Sequence, residues 1–586
     1  MSRKVSHSSR YSFPILTSTL ERIQKYRIKH EFIPRSVIDA EINEKSVRDI
    51  LTEKGIGSEL QRAELAKEII QSSRKVFTIL VMSRKVDHIK TFLDREIQDC
   101  NLPLKLDGNV LRTDQSKEIL QDWEYNDLEE LATKQWRVLA PVFKPGIHYN
   151  FPEAQILPFI GKGYAQSEGG NGRVSCEHIH ADHHEFCETP DSESQDCKVA
   201  VKKLLSQVPS LFEEEKAFLT ALGSAGSHPH LINLLCTYSF KEDNHLVFPY
   251  ADENLRTYWE QTKLPEWDRQ TLLWWLDQMV GIADGLSVIH KLTRLGELPN
   301  ESIYGRHGDL KADNIIWFKK RPKCTDPKGI LLITDLGLAK LHRFESKSND
   351  LDAVFPRTYS PPRHLGQPIT QAFDIWSLGC LYLEFVTYAI CGNEAINEFS
   401  RLRGHDDPRI MFNTDCFYSL DEEAVRPSVH KWVAMLKKEP RCTPVFSDFL
   451  DLIMLQMILI KPSERSSAQT IFEQLDAMYI RALGDEKYLL DTHKISPQQE
   501  LDGSQEPIPE AASSSARNMS YGSSSTYSTP ERHGLEKVIH NARFQHFSRL
   551  GPMMQSTPVI DSGNLWSLGG FEIRRSRGTW PQAASS

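Results

Sequence analysis

Hydrophobic and polar positions divide the 586-residue chain into three regions, and the first of them has a helical pattern. Within residues 1–150, apolar side chains recur near helical spacing, as at Ile38, Ile42, Val47 and Ile50. This spacing places them on one side of a helix, where they can pack against a core. The pattern therefore predicts a mainly helical N-terminal module.

The pattern changes near residue 155, and this second region extends to about residue 482. Short β-branched runs, KVAVKKLL from Lys198 and HLVFPY from His245, predict strands, whereas the chain after Leu255 has helical segments rich in Trp and Leu. Strands followed by helices indicate an α+β protein with two unequal lobes. Residues 495–586 are rich in Ser, Gln, Pro and Gly, which predicts a largely disordered C-terminal tail.

Composition narrows the functional classes. The net charge of −9 argues against a dedicated nucleic-acid binder, which normally has a concentrated basic face. No apolar run approaches the roughly 18 to 20 residues of a membrane span. The ten cysteines are spread along the chain without a compact disulfide framework, which indicates a reducing compartment. We expect an enzyme of the cytoplasm or nucleus.

Two motifs carry the most specific chemical signal. The segment HGDLKADN ends at Asn314, and ITDLG follows about twenty residues later. They resemble the H-R-D-L-K-x-x-N catalytic loop and the D-F-G element of eukaryotic-type protein kinases. The resemblance implies a bilobal kinase fold in which Asp309 accepts the hydrogen bond of the substrate hydroxyl and Lys311 neutralises charge on the phosphoryl group. It also implies that Asn314 and Asp335 hold Mg²⁺, a cation that prefers oxygen ligands.

The lysine that would meet the α- and β-phosphates of ATP lies upstream. Val-Ala-Val-Lys, ending at Lys202, resembles the V-A-I-K strand of the same family. Its neighbour Lys203 would point to the opposite face of a strand. A carboxylate must hold the lysine, and Glu215 is the best candidate because apolar residues follow it at one and two helical turns. Glu213 and Glu214 remain alternatives.

The glycine-rich segment SEGGNGRV precedes this strand. It resembles the G-x-G-x-x-G-x-V loop, with serine in place of the first glycine. Gly169, Gly170 and Gly172 would let backbone amides approach the phosphates without an intervening side chain. The same resemblance places Val174 and Ala200 over the adenine ring.

The run HLVFPYA resembles the last strand of the small lobe and the hinge that follows it. Phe248 would then be the gatekeeper beside the adenine pocket. The carbonyl group of Pro249 and the amide of Ala251 would contact adenine, and proline loses nothing there because only its carbonyl is needed.

Two positions in the large lobe depart from the family pattern, and a third is a candidate match. Gly308 replaces the arginine that usually binds the phosphate group of a phosphorylated activation loop. We therefore predict that phosphorylation of this loop is not the main switch of activity. Arg363 replaces a glutamate that normally pairs with the later Arg465, with Glu464 as a candidate compensating charge. Thr358 is a candidate for the threonine typical of serine/threonine kinases.

An insertion rich in cysteine and histidine, CEHIHADHHEFC, lies between the glycine-rich segment and Lys202. Such a density of metal-ligating residues suggests zinc, but the spacing matches no compact zinc motif. His178 and His180 alternate as they would on a strand. The pattern favours a solvated hairpin and leaves zinc as an alternative.

The resemblance covers residues 155–482 and implies a serine/threonine protein kinase that uses Mg-ATP and acts on a protein substrate. It is similar to diverged kinases of filamentous fungi that carry a helical extension. The alternatives are a pseudokinase that binds nucleotide and partners without efficient catalysis, and a small-molecule kinase. Lys202 and the DIWSLG segment from Asp374 disfavour the latter. The helical module is a candidate site for a regulatory partner, or it braces the small lobe.

Overall fold

The computed structural model of the protein describes residues 13–108, 110–113, 118–120, 123–161, 163–169, 172–186, 196–204, 209–224, 228–262, 264, 266–295, 302–321, 324–336, 342–343, 358–362, 370–405, 415–419 and 424–491. The C-terminal tail that the composition predicts to be disordered lies outside these residues.

The N-terminal module is mainly helical, as predicted. Its helices are α1 (Pro14–Lys29), α2 (Arg35–Glu41), α3 (Glu44–Glu53), α4 (Glu59–Ser72), α5 (Arg74–Met82), α6 (Ile89–Asp94) and α7 (Tyr125–Lys134). A small antiparallel sheet lies between α6 and α7, and its strands are β1 (Lys105–Asp107), β2 (Val110–Arg112) and β3 (Glu118–Leu120). Helices α3 and α4 each begin at a capping box, in which Asn43 and Ser58 accept hydrogen bonds from backbone amides of the first turn.

Helix α5 occupies the centre of the module's core. All residues from Val76 to Met82 are buried, so this helix is apolar on every side and is enclosed by its neighbours. The predicted apolar positions Ile38, Val47 and Ile50 are buried in the same core. The module thus has a hydrophobic core of its own.

A six-stranded sheet forms the small lobe. Its strands are β4 (His148–Asn150), β5 (Tyr164–Gly169), β6 (Gly172–Ile179), β7 (Cys197–Leu204), β8 (Cys236–Phe240) and β9 (Asp243–Pro249). Their spatial order is β4-β8-β9-β7-β6-β5, and only the β4–β8 pair is parallel. Helix α8 (Pro209–Ser224) follows β7. Strand β4 lies within residues 1–150, so the sheet begins inside the range that the hydrophobic pattern assigns to the helical module.

The large lobe is mostly helical. Its helices are α9 (Leu255–Gln261), α10 (Arg269–Lys291), α11 (Gln371–Cys391), α12 (Asn393–His405), α13 (Pro427–Leu436), α14 (Pro444–Leu452), α15 (Ala468–Gly484) and α16 (Glu486–Leu490). Its short strands are β10 (Glu253–Asn254), β11 (Thr293–Leu295), β12 (Ser302–Tyr304), β13 (Ile315–Phe318), β14 (Ile330–Ile333), β15 (His342–Arg343), β16 (Tyr418–Ser419) and β17 (Ala424–Val425).

Helices α10 and α11 are long and apolar enough to cross a membrane by length and composition alone. In the structure most of α10 and all of the apolar stretch of α11 are buried, and both helices contribute to the main hydrophobic core. This is the burial expected of core helices in a folded domain.

Candidate active site

The glycine-rich hairpin lies beside strand β7. Gly169 and Gly172 form the last residue pair of the β5–β6 hairpin, whereas Gly170 lies outside the described residues. A Cβ atom added to Gly172 would lie 2.8 Å from the backbone oxygen of Lys203. Glycine is therefore needed at this position for the hairpin to approach β7 so closely.

Residues predicted to contact ATP share one face of the small-lobe sheet. Val174 pairs with Lys202, and Ala200, two residues earlier on β7, pairs with Phe248 on β9. Paired residues, and residues two apart on a strand, point to the same face of a sheet. These four predicted residues therefore line one surface.

The side chain of Lys202 connects the small lobe to the large lobe. Its Nζ donates hydrogen bonds to Glu215 Oε1 at 2.9 Å and to Asp335 Oδ1 at 2.8 Å. Burial by itself would lower the pKa of Lys202, but the two carboxylates raise it above its usual value. Glu213 is exposed and pairs with Lys216, so the structure brings Glu215 to the lysine.

The catalytic-loop motif forms a compact group of polar side chains. Asp309 Oδ2 accepts hydrogen bonds from Lys311 Nζ and Asn314 Nδ2, both at 2.9 Å. The other carboxylate oxygen, Oδ1, is buried and has no hydrogen-bond partner in the described part of the chain. Burial raises the pKa of Asp309 even though Lys311 opposes the shift. A buried carboxylate with one free oxygen is suited to accept a hydrogen bond from a substrate hydroxyl.

The β13–β14 hairpin brings together the two residues predicted to hold a cation. Asn314 immediately precedes β13 and Asp335 lies two residues beyond β14, and the ends of the two strands are paired. The Thr334 amide donates to the Asn314 carbonyl group at 2.9 Å, which closes this end of the hairpin.

The donor set of this hairpin fits Mg²⁺. The amide nitrogen of Asn314 is used by Asp309, so its Oδ1 oxygen is the atom that can bind a cation. Burial would raise the pKa of Asp335, but Lys202 lowers it below its usual value and keeps the carboxylate charged. Two protein oxygens suit Mg²⁺, which usually keeps several waters and binds substrate phosphates.

Asp374, at the start of α11, binds backbone amides of the catalytic-loop motif. It accepts hydrogen bonds from the backbone amides of His307 and Gly308, both at 2.8 Å, and lies 2.9 Å from His290 Nε2. Gly308 has a φ angle of +84°, in the left-handed region that favours glycine. The glycine that replaces the usual arginine thus adopts the backbone turn of the loop without steric cost.

The predicted hinge lies at the junction of the two lobes. Strand β9 ends at Pro249, which pairs with Val199 of β7. Phe248 and Ala251 pack against a small apolar cluster formed by Ile232, Phe318 and Leu332. The hinge therefore lies against an apolar cluster, and its adenine contacts stay a prediction.

The geometry agrees with the comparison to known families. The sequence profile described as "Protein kinase domain" matches residues 190–475. Residues 190–475 form a protein kinase domain. The match begins after the glycine-rich hairpin, so it is the structure that places Gly172 and Val174 beside the rest of the kinase domain.

Several known kinases are similar to parts of this chain. GLH-binding kinase 1 of Caenorhabditis elegans is 24% identical over 216 residues, which cover 35% of this chain and 49% of that protein. The leucine-rich repeat receptor protein kinase EMS1 of Arabidopsis thaliana is 32% identical over 198 residues, covering 32% and 14%. Cyclin-dependent kinase D-1 of Arabidopsis thaliana is 28% identical over 182 residues, covering 30% and 39%. The chain spans less than half the length of each of these relatives.

Thr358 lines the same cavity as Lys311 and Asp313, and its candidate role as the threonine typical of serine/threonine kinases stays a prediction. Its hydroxyl donates to Asp415, which also accepts a hydrogen bond from Ser400 at 2.7 Å. The next residue, Tyr359, is buried in the large lobe. Thr358 therefore contacts Asp415 of the large lobe, while Arg363 lies outside the described residues.

Arg465 is bound by backbone carbonyl groups, and the expected compensation by Glu464 is absent among the described contacts. Its guanidinium donates to the oxygens of Leu459, Ala372 and Ile460 at 2.7, 2.8 and 3.0 Å. Glu464 instead pairs with Lys461 at the surface. Carbonyl dipoles at a helix start and an adjacent turn satisfy the guanidinium without a carboxylate.

The cysteine- and histidine-rich insertion is not a solvated hairpin, because it packs against the N-terminal module. The buried ring of Phe32 lies 5.0 Å from the ring of His183 and 5.9 Å from that of His180. The Ser36 amide donates to Asp182 Oδ2 at 2.9 Å. Within the described residues, no group of three or more His, Cys, Asp or Glu side chains could hold a metal ion. The zinc alternative therefore has no support from the described part of the insertion.

A second cluster of charged residues lies near the catalytic-loop motif, and the sequence analysis did not predict it. Glu384 Oε2 accepts hydrogen bonds from Tyr359 at 2.6 Å and Arg256 at 2.9 Å, and Oε1 accepts one from Arg403 at 3.1 Å. Arg403 also contacts Asp415. We call these five residues the large-lobe cluster. One signal could have indicated it, since Glu384 and Asp374 are the only charged residues in the apolar helix α11.

A cavity of about 350 Å³ adjoins this cluster and opens beside the catalytic loop. Lys311 and Asp313 line one side, and Thr358 and Asp415 line the other. The large-lobe cluster therefore forms part of the surface next to the predicted phosphoryl-transfer residues.

Proposed function

We propose that the protein is a serine/threonine protein kinase that transfers the γ-phosphoryl group of Mg-ATP to a protein hydroxyl. The observation that supports it most is the meeting of Lys202, Glu215 and Asp335 across the two lobes. This arrangement is one that phosphoryl transfer by kinases requires. Similarity to a cyclin-dependent kinase favours serine or threonine as the acceptor.

Four residues of the chain would each have a separate role in the phosphoryl transfer. Lys202 binds the α- and β-phosphates, and Glu215 keeps its ammonium in place. Asp309 orients the acceptor hydroxyl with its free carboxylate oxygen. Lys311, 2.9 Å from Asp309, is close enough to neutralise charge on the phosphoryl group during its transfer.

The cation site would be formed by Asn314 and Asp335. When bound, Mg²⁺ neutralises the charge that develops on the phosphate oxygens. Asp335 has a φ angle of +57°, an unusual backbone conformation for a non-glycine residue, and such residues often occur at functional sites. The pairing of β13 with β14 holds this conformation beside Asn314.

The decisive experiment compares the wild-type chain with Asp309→Asn in radiolabelled phosphate transfer from Mg-ATP. We expect transfer by the wild type and a loss of at least about 100-fold in the variant, which is typical of removing general-base assistance. Nucleotide binding, measured by calorimetry, should be retained in both proteins because Asp309 does not contact the predicted adenine site. Phosphoamino-acid analysis of the product tests the serine/threonine assignment.

The pseudokinase alternative predicts a different result from the same experiment. It predicts nucleotide binding by both proteins without transfer by either. Phosphotyrosine as the only product would retain the kinase assignment and overturn the acceptor class.

A further inference from the structure

The segment that joins the N-terminal module to the kinase domain is built into the small lobe. We call residues 140–151 the connector. The Phe143 amide donates to the His183 carbonyl group at 2.9 Å, and the Glu185 amide donates to the Phe143 carbonyl group at the same distance. The ring of Phe143 is buried in an aromatic cluster that includes Tyr238 of β8. The start of the connector is therefore fixed to the insertion and to the sheet.

The end of the connector forms an edge strand of the small-lobe sheet. Backbone hydrogen bonds on both sides of β4 extend its pairing with β8 and with the residue before β8. The Gly146 amide donates to the Leu235 carbonyl group at 2.7 Å, and the Thr237 amide donates to that of Ile147 at 3.1 Å. Beyond β4, the Phe151 amide donates to the Ser239 carbonyl group at 3.0 Å. This strand lies outside the range matched by the kinase family. Strand β4 thus joins the N-terminal module to the edge of the small-lobe sheet.

The two faces of β4 have different neighbours. Tyr149 packs in the aromatic cluster with Phe143, at 5.5 Å between ring centroids. His148, on the other face, has Nδ1 2.8 Å from the Thr237 hydroxyl and Nε2 3.2 Å from Asn150 Oδ1. Both ring nitrogens are thus engaged, which fixes the plane of the imidazole.

The fixed imidazole of His148 faces helix α8. Its ring lies 5.7 Å from the ring of Phe212, which is buried. Phe212 is three residues before Glu215, so the two side chains are neighbours along one side of the helix. Lys216, one residue after Glu215, has its ammonium 5.4 Å from the Phe212 ring. The contact with β4 is therefore made within one turn of the glutamate that holds Lys202.

We propose that β4 is a positioning element for helix α8, in which His148 holds Phe212 and thereby keeps Glu215 at Lys202. The N-terminal module, through the connector, then determines whether the kinase domain has its lysine–glutamate pair assembled. The pair exists only while α8 is held against the sheet, because Glu215 belongs to the helix and Lys202 to strand β7. The effect on catalysis rests on the proposed kinase function, whereas the effect on the helix does not.

The test uses the full chain and three variants at this contact. His148→Ala removes the imidazole, His148→Asn keeps a side-chain amide that can reach the Thr237 hydroxyl, and Thr237→Val removes that hydroxyl at nearly constant volume. The matched control is His430→Ala, an exposed histidine on α13. Thr237→Val serves as the test variant if His148→Ala does not fold.

Two measurements are made on each protein. Initial rates at varied ATP concentration give kcat and KM, and hydrogen exchange is followed in residues 209–224 of α8 and 371–391 of α11. We expect His148→Ala to lower kcat about tenfold, equivalent to about 1.4 kcal/mol, with a smaller change in the KM for ATP. Exchange should become faster in α8 and stay unchanged in α11, and His148→Asn, which keeps a hydrogen bond to Thr237 but lacks the ring that contacts Phe212, should show the same changes.

The two readouts separate the two proposals. Unchanged exchange in α8 in both His148→Ala and Thr237→Val would overturn the positioning role, whatever the activity. If the wild type transfers no phosphate, the proposed function fails, and faster exchange confined to α8 in the variants still supports the positioning role. Equally faster exchange in α8 and α11 would indicate general destabilisation and would also overturn it.

Discussion

The kinase domain contains two buried clusters of charge that differ in how completely their members are paired. The cross-lobe cluster consists of Lys202, Glu215 and Asp335, and the Asp335 side chain is 41% exposed. In the large-lobe cluster, Glu384 is only 2% exposed and both of its oxygens accept hydrogen bonds from cationic or phenolic groups. We call the first cluster open, because its Asp335 carboxylate is exposed, and the second closed, because its Glu384 carboxylate is buried and paired even though a cavity adjoins the cluster.

The difference shows how the same interaction serves two purposes. A buried ion pair is expensive to desolvate, so it persists only when its remaining hydrogen-bonding capacity is satisfied. The large-lobe cluster meets this condition at Glu384, whose two oxygens are both paired within one lobe, whereas Arg403 Nη1 is buried without a hydrogen-bond partner among the described residues. The cross-lobe cluster leaves Asp335 accessible beside the free oxygen of Asp309, so a cation and phosphates can complete it. Removing a charge should therefore affect catalysis at the first cluster and stability at the second.

The largest effect is expected for Lys202→Met in the cross-lobe cluster. Phosphate transfer should fall by about 1000-fold, equivalent to about 4 kcal/mol, because no ammonium then meets the phosphates. The control is Lys203→Met, since the neighbouring lysine pairs with Asp243 on the other face of the sheet. Steady-state kinetics with Mg-ATP measures both. Equal losses in the two variants would contradict the assignment of Lys202.

Glu384→Gln should be the most destabilising change in the large-lobe cluster. It removes the negative charge that Arg256 and the fully buried Arg403 share and leaves Arg403 with Asp415 as its carboxylate partner, and breaking a buried pair in this way typically costs about 3 kcal/mol. Urea unfolding followed by circular dichroism measures the free energy of unfolding. The matched control is Glu398→Gln on the exposed surface of α12, where no measurable change is expected. A stability loss confined to the control would refute the distinction between open and closed clusters.

Gly308→Ala tests the catalytic loop that lies between the two clusters. The positive φ angle of Gly308 should make alanine unfavourable by about 1 kcal/mol. We expect a modest loss of stability and of kcat, because the hydrogen bond from the amide of residue 308 to Asp374 is weakened. Gly404→Ala, in helix α12 with open space around it, should cause no loss. If Gly308→Ala is as stable as the wild type, the backbone explanation for this glycine is wrong.

Asp335 and Asp415, one from each cluster, should not contribute to the pH dependence of stability between pH 8 and 5. Burial raises the pKa of Asp335 and Asp415, but their partners lower each below its usual value, so both stay charged in this range. Burial lowers the pKa of His183, which packs against Phe32, below its usual value near 6.5. Its contribution to stability is therefore complete above pH 6.5 and is lost as the pH falls below that value.

The groups that face His183 support this sign. His180 and Lys75 lower its pKa further, whereas Asp182 and the hydrogen bond to the Pro141 carbonyl group oppose the shift. Thermal unfolding at pH 8, 6.5 and 5 should show a smaller decrease with falling pH in His183→Gln than in the wild type. The same decrease in both proteins would exclude His183 as the source.

The smallest effect is expected for the combined substitution of Ser346, Ser348 and Thr358 by alanine. Most activity should remain, because Gly308 cannot receive a phosphate from this segment and Thr358 contributes only a hydrogen bond to Asp415. Kinase assays before and after phosphatase treatment of the wild type provide the control. Loss of activity in either experiment would show that loop phosphorylation is the switch.

Much of the candidate site could be predicted from the sequence because its residues lie in short, contiguous elements. Asp309 and Asn314 share one loop, and Asp335 follows a hairpin whose register is set by apolar strands. Strand alternation places Lys202 and Lys203 on opposite faces, and the resemblance to the V-A-I-K strand favoured Lys202. The helical nature of the N-terminal module and the bilobal α+β fold likewise follow from local periodicity.

Other features depended on contacts between distant segments. The motif did not indicate the hydrogen bond from Thr358 to Asp415, and Arg465 meets backbone carbonyl groups although Glu464 was expected to compensate its charge. The hairpin expected to be solvated covers Phe32 of the N-terminal module. Motif alignment follows positions along the chain, and it does not show which surface each side chain will face.

The sequence by itself determined which faces of its helices and strands are apolar and where the kinase-like motifs lie along the chain, because both depend on residues that are close together in the sequence. Only the tertiary structure decided which charges pair, which carboxylate oxygen stays free, and that His148 of the connector meets Phe212. Such pairings join residues far apart in the chain, and their free energy depends on burial and geometry that exist only after the chain has folded.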